Sequence, residues 1–204
     1  MKQSVQASIE KQLQRKKKGQ LFFLSDFRGL GTEAAIRQAI KRLTKGKKIK
    51  RIAQGAYVIP VVDPLLGELL PSMESVAEAI AKKEHVKIKP AGAYAVHRLG
   101  LTTQVPMRLV YITDGAPKQI KIGKSSIKFK PTSAKKLAME GELSSLIIQA
   151  LEELGTKNLD LTIIERIKEL LLKEDSKKLM HDIKLAPAQI SDFLFSLLKD
   201  TQND

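Results

Sequence analysis

The sequence predicts an α+β fold, and three observations carry that prediction. Residues 5–60 show helix, short helix, helix and hairpin patterns in that order. Residues 61–131 mix short strands with short helices, and from Ser133 onward the apolar periodicity is helical.

The elements follow in order. Val5, Ile9 and Leu13 share one face of a first helix that reaches about Arg15 and stops at Lys16–Lys18 and Gly19. Leu21–Leu24 is an apolar run too short for a helix and suits a strand or docked connector. Ser25 and Asp26 are capping types that can open a short helix through Phe27 and Leu30. Gly29 and Gly31 bracket a turn. Thr32 then caps a stronger helix with Glu33 in its first turn, where the helix dipole favours an acid. Ile36, Ala39, Ile40 and Leu43 form its apolar stripe, Arg37, Gln38, Lys41 and Arg42 lie opposite, and Gly46 ends it. Ile49–Ile52 and Ala56–Ile59 read as two strands joined at Gln54–Gly55. This is the element order of a winged helix-turn-helix, with the hairpin as the wing.

Residues 61–67 read as a connector. A helix over Ser75–Lys83, a brief strand at Val86–Ile88, a helix over Gly92–Leu99 and a strand over Leu109–Thr113 come next. Gln119–Ile122 and Ser126–Lys130 flank Gly123-Lys124 as a hairpin. Beyond Ser133, helices are expected over 141–154, over Ile163–Leu172 behind a Thr162/Glu165 capping box, over Asp175–Ile183, and after Pro187, with fraying from Thr201. The organisation expected is a winged helix-turn-helix over 1–62 and an α+β domain over 63–204, helical from about 137.

Charge separates the same two parts. The 204 residues hold 36 Lys and Arg against 22 acids, a net +14. Residues 1–62 alone carry 15 basic residues and 3 acids, whereas 63–204 are close to neutral at +2. No acid falls between Glu33 and Asp63. Segregated positive charge suits a polyanion. Thr32, Arg37 and Gln38 would face base edges from the third helix, since Arg matches guanine and Gln adenine. Lys41, Arg42 and Lys45, with Lys47, Lys48, Lys50 and Arg51 leading into the wing, would meet phosphates.

Other chemistries find little support. There is no Cys, so disulfides, thiolate zinc sites and cysteine nucleophiles are excluded. His85, His97 and His181 lie in separate segments without zinc-ligand spacing. Gly29–Ala34 matches G-x-G-x-x-A, but no apolar strand directly precedes it and no ribose-binding acid follows about 20 residues later. A third expectation is an enzyme acting on nucleic acid, such as a nuclease or nucleotidyltransferase; it needs a cluster of acids for metal ions, and residues 86–136 hold one, Asp114. No catalytic residue, cofactor or metal is expected. No apolar run spans a bilayer and no signal sequence is visible, so a cytoplasmic protein of a bacterium or archaeon is expected.

Several stretches carry a family resemblance: Lys48–Pro60, Asp63–Leu69, Pro90–Ala95, Leu99–Pro106 and Tyr111–Gly115. Together they resemble the AbiE-type (type IV toxin–antitoxin) antitoxins and related winged-helix transcriptional regulators, over roughly residues 5–150. The resemblance implies that the N-terminal winged helix binds double-stranded operator DNA and represses its own operon. It also implies that the remainder neutralises a cognate nucleotidyltransferase-like toxin, with or without a stable complex. The competing expectation is a protein-interaction module, or a solitary DNA-binding regulator without a toxin. The apolar stripe Ile190, Phe193, Leu194, Leu197 and Leu198 would serve either the core or a docked partner.

Overall fold

A computed structural model describes residues 4–203, with side chains through residue 199. The fold is α+β. The chain divides into two compact units, one holding Met1–Ala79 with Ile120–Ile122 and the other Ile80–Gln119 with Gly123–Asp204.

The first unit begins with α1 (Val5–Leu13), capped by the Ser4 hydroxyl on the Ala7 N–H. Strand β1 (Leu21–Phe23) leads into a 3-10 turn over Leu24–Phe27, shorter than the helix expected to reach Leu30. Asp26 pins this turn by accepting the Phe23 N–H at 3.3 Å and the Lys16 ammonium at 3.1 Å. Helix α2 (Glu33–Lys45) follows, then β2 (Lys50–Ala53) and β3 (Ala56–Val58). The sheet order is β1-β3-β2, both pairings antiparallel, so the strand from before α2 joins the hairpin that comes after it.

Ile36, Ala39, Ile40 and Leu43 are buried against Ile9 and Leu13 of α1, Phe22, Phe27 and Ile49. Phe22 sits edge-on to Phe27 at 5.7 Å and stacks on Tyr57 at 6.0 Å, joining turn, strand and hairpin in one apolar cluster. Gly31 has a packing role: a Cβ there would lie 2.6 Å from Val5 Cγ2.

Residues 61–67 are not a plain connector. They build a second antiparallel hairpin, β4 (Val61–Asp63) and β5 (Gly67–Leu69), turned by the Asp63 carboxylate accepting the Leu65 and Leu66 N–H groups at 2.8 and 2.9 Å. β5 is exposed along its whole length, so no inside-outside alternation marked it in the sequence.

Helix α3 (Met73–Glu84) crosses the division. The chain continues with β6 (Ile88–Ala91), α4 (Ala93–Arg98), β7 (Arg108–Thr113), β8 (Lys118–Ile122) and β9 (Ser125–Pro131), the strands forming a sheet of order β6-β7-β9-β8. β7 pairs antiparallel with β6 and parallel with β9. The short helix α5 (Ala134–Leu137) precedes α6 (Glu142–Leu154), α7 (Leu161–Leu171), α8 (Ser176–Leu185) and α9 (Ala188–Asn203).

α6 is the central helix, buried from Ser144 to Leu151. Ile190, Leu194 and Leu197 of α9 are buried in the same helical core, with Phe193 and Leu198 packed against it. The stripe therefore serves the core. α9 runs through Asn203, and Asp204 lies outside the described residues. α7 starts at Leu161 with Asp160 at its N-cap, so Thr162 falls inside the first turn and the Thr162/Glu165 capping box does not form. No helix among the described residues is long and apolar enough to cross a membrane.

Candidate nucleic-acid interface

Burying the apolar stripe of α2 turns its opposite face outward. Arg37, Gln38, Lys41, Arg42 and Lys45 are all exposed on it. Gln38, Lys41, Arg42 and Lys45 recur at helical spacing and form one continuous face. Thr32 stands at the N-cap, its hydroxyl accepting the Ala35 N–H at 3.3 Å. Glu33 binds Arg37 along the helix, with Arg37 Nε 3.1 Å from Glu33 Oε1.

The basic residues after α2 divide into engaged and free groups. Lys48 pairs with Glu10 of α1 at 3.0 Å, and Lys50 with Glu68 of β5 at 2.7 Å. Gln6 and Lys48 hold the Glu10 carboxyl below its ordinary pKa. Arg51 donates to the Ala53 carbonyl at 3.3 Å. Among the described residues, Lys41, Arg42, Lys45 and Lys47 have no hydrogen-bond or ion-pair partner for their side chains. The turn between β2 and β3 is Gln54–Gly55, with Gly55 at φ +74°, so its tip carries no charge. The cations lie on α2, in the α2–β2 connector and along β2.

Lys47 is unusual. It adopts φ 55°, the left-handed region that glycine enters freely and other residues enter at a cost. Its N–H reaches the Thr44 carbonyl at 3.1 Å, and the Lys48 N–H reaches the Leu43 carbonyl at 3.0 Å. These are the two bonds of a Schellman cap, with lysine in the position usually given to glycine. Gly46, one residue earlier, keeps an ordinary φ of −77°. Sequence reading placed the helix end at Gly46 and could not see that the next residue makes the reversal.

The second unit contains a Ser144–Asp182–His181 grouping that invites comparison with a catalytic triad, but the connectivity is wrong. Ser144 Oγ bonds Asp182 Oδ2 at 2.5 Å and His181 Nδ1 lies 3.0 Å from Asp182 Oδ1, so no imidazole stands beside the hydroxyl as a base. The grouping is a helix cap. Asp182 accepts the Glu140 and Gly141 N–H groups at 2.7 and 2.9 Å, and Glu174 accepts those of Leu143 and Ser144 at 2.7 and 3.0 Å. Gly141, at the N-cap of α6, has no side chain for the task, and two carboxylates from later in the chain perform it. Burial pushes the Asp182 pKa up, but Ser144, His181 and the two backbone N–H groups outweigh it and hold the carboxyl below its ordinary value. The signal was invisible in sequence because donors and acceptors lie some 30–40 residues apart.

A family model matches residues 8–179 and describes a family of unknown function, DUF6088. The chain belongs to the DUF6088 family. No curated protein and no solved structure matches it. The stretch shared with DUF6088 contains every residue of the basic face on α2, its connector and β2, together with all of α6.

Proposed function

We propose that this DUF6088 chain is a DNA-binding transcriptional regulator whose first unit is a winged helix-turn-helix. The carrying observation is the basic face: Lys41, Arg42 and Lys45, contiguous with Gln38 on the outer side of the helix between β1 and the β2–β3 hairpin, with Lys47 just beyond the helix end, all without side-chain partners among the described residues. The topology supports the reading. The order α1, β1, turn, α2, β2, β3 with sheet order β1-β3-β2 supports reading α2 as the recognition helix and β2–β3 as the wing. Lys47 adds weight, because a lysine kept in left-handed backbone where glycine would be unstrained is explained by a use for its ammonium.

Roles follow from placement. Gln38 and Arg37 present hydrogen-bonding groups to base edges from α2, and Glu33 fixes the guanidinium of Arg37 in one orientation. Lys41, Arg42, Lys45 and Lys47 neutralise phosphates and release counterions. The short wing, with its neutral Gln54–Gly55 tip, contributes Arg51 and backbone rather than a charged finger. Lys48 and Lys50 brace α1 and the β4–β5 hairpin and contribute to the positive field.

The resemblance to AbiE-type antitoxins extends the proposal: the regulator represses its own operon, and its remaining residues counter a nucleotidyltransferase-like toxin. The test has two parts. A reporter driven by the DNA upstream of the gene should be repressed by the intact chain and released by combined Lys41→Gln and Arg42→Gln. Expression of the adjacent reading frame should be toxic alone and harmless with this chain. A reporter indifferent to the chain contradicts the regulator. A harmless neighbour, with repression intact, leaves a solitary regulator.

A further inference from the structure

The near-neutral charge of residues 63–204 hides a strong internal division. Residues 86–136 hold eleven Lys and Arg against one acid. Within the second unit, part of that charge gathers at an open pocket of about 600 Å3. Pockets of ~300–1,000 Å3 are the size of small-molecule sites. Val110 and Ile112 of β7 line it from the sheet and α6 lines it opposite. Arg108 on β7 and Lys128 and Lys130 on β9 also line it, all exposed and, among the described residues, without side-chain partners. The parallel register sets Lys128 beside Val110 and Lys130 beside Ile112. Lys136 reaches the pocket too, but its charge is met by Glu152 at 2.5 Å, and Glu153 of α6 also lines it, so three cations face one carboxylate without a basic partner among the described residues.

The second observation is independent of charge. Gln149 on α6 lines the same pocket, is 2% exposed, and its Nε2 has no hydrogen-bond partner among the described residues. Buried amide donors are almost always satisfied, and leaving one empty is costly. Ser145, one turn earlier on the same face, has its hydroxyl met by the Lys89 ammonium at 3.2 Å, so this face of α6 is a polar seam with one donor left open. A glutamine amide offers donor and acceptor in one plane, the complement of a heterocyclic base edge. Met107 and Pro131 supply apolar surface for a ring, and the cations suit a phosphate.

We propose that this pocket binds a nucleotide, its base edge held by Gln149 and its phosphate by Arg108, Lys128 and Lys130. The site lies in the second unit and stands or falls apart from operator binding by the first. The same chemistry is carried by a free mononucleotide and by a nucleotide within a single strand, and the experiment separates them.

The four ribonucleoside monophosphates, and then a short single-stranded oligonucleotide, are titrated into the isotopically labelled full chain while the Gln149 side-chain amide resonance is followed. That resonance is assigned by its disappearance in Gln149→Met. At least one probe should shift it saturably; a mononucleotide that does so identifies a free ligand, and an oligonucleotide alone identifies a strand. Combined Lys128→Gln and Lys130→Gln should weaken that binding about tenfold or more. Gln149→Met should remove it without lowering the melting temperature of the free protein, because methionine fills the volume and carries no open donor. An amide unmoved by every probe overturns the proposal, as does binding that survives both variants. A Gln149→Met protein that melts well below the parent also overturns it, since the amide then has a structural partner.

Discussion

Arg37 lies one helical turn beyond Glu33 on α2, its Nε 3.1 Å from the Glu33 Oε1 atom, with both side chains largely exposed. The pair places an anion at the edge of the basic face of α2 and holds the guanidinium in a fixed plane. An exposed pair of this kind adds little to stability. Its consequence is for whatever approaches α2. Glu33→Gln should raise affinity for any duplex by removing charge repulsion, yet narrow the gap between operator and unrelated DNA by freeing Arg37 to rotate. Fluorescence anisotropy on both duplexes checks this; a wider gap would count against the orienting role.

Lys47→Gly separates stability from binding. Relieving left-handed backbone should stabilise the first unit by about 1 kcal/mol. Losing the ammonium should weaken operator and unrelated duplexes alike. Chemical denaturation and DNA titration of one protein sample measure both quantities. A stabilised protein with unchanged DNA affinity would remove Lys47 from the interface.

The three free cations on α2 should act through salt. Replacing Lys41, Arg42 and Lys45 with Gln one at a time should each flatten the dependence of log affinity on log salt by about one unit. Lys48→Gln and Lys50→Gln should flatten it less, because Glu10 and Glu68 already meet those charges. Equal effects at all five positions would mean that the ion pairs do not persist in solution.

Asp182 makes the second unit acid-sensitive. Its folded pKa lies below the ordinary value, so the stabilisation is present above the unfolded pKa of about 3.9 and is lost as pH falls through the depressed folded value. Asp182→Asn should cost about 2–3 kcal/mol at neutral pH, the scale of hydrogen bonds to a charged group. It should also flatten the loss of stability as pH falls below the ordinary aspartate pKa. Thermal melts at neutral and falling pH test both claims.

What the sequence disclosed, and what it hid, follows from the distance over which each signal acts. The α2 stripe was legible because Ile36, Ala39, Ile40 and Leu43 repeat within one helix, and so was the Thr32 cap. The β4–β5 hairpin was not, because Leu65, Leu66 and Leu69 are exposed and mimic core residues in a sequence. The cap of α6 depends on Glu174 and Asp182, far along the chain, and no local pattern could announce it. At the basic face, residue types were legible while their engagement was not: Lys48 and Lys50 look like Lys41 and Lys45 until Glu10 and Glu68 are folded beside them. Gln149 did leave a trace, as the one polar residue within Leu146–Leu151.

The central claim is that α2 reads DNA. Its most direct test is the affinity of the full chain for the duplex upstream of its own gene against a shuffled duplex of equal length, measured as salt rises. The account predicts that both affinities fall steeply while the native duplex stays the tighter, and that Arg37→Ala with Gln38→Ala brings the two together. Equal affinity for both duplexes at every salt concentration would contradict it.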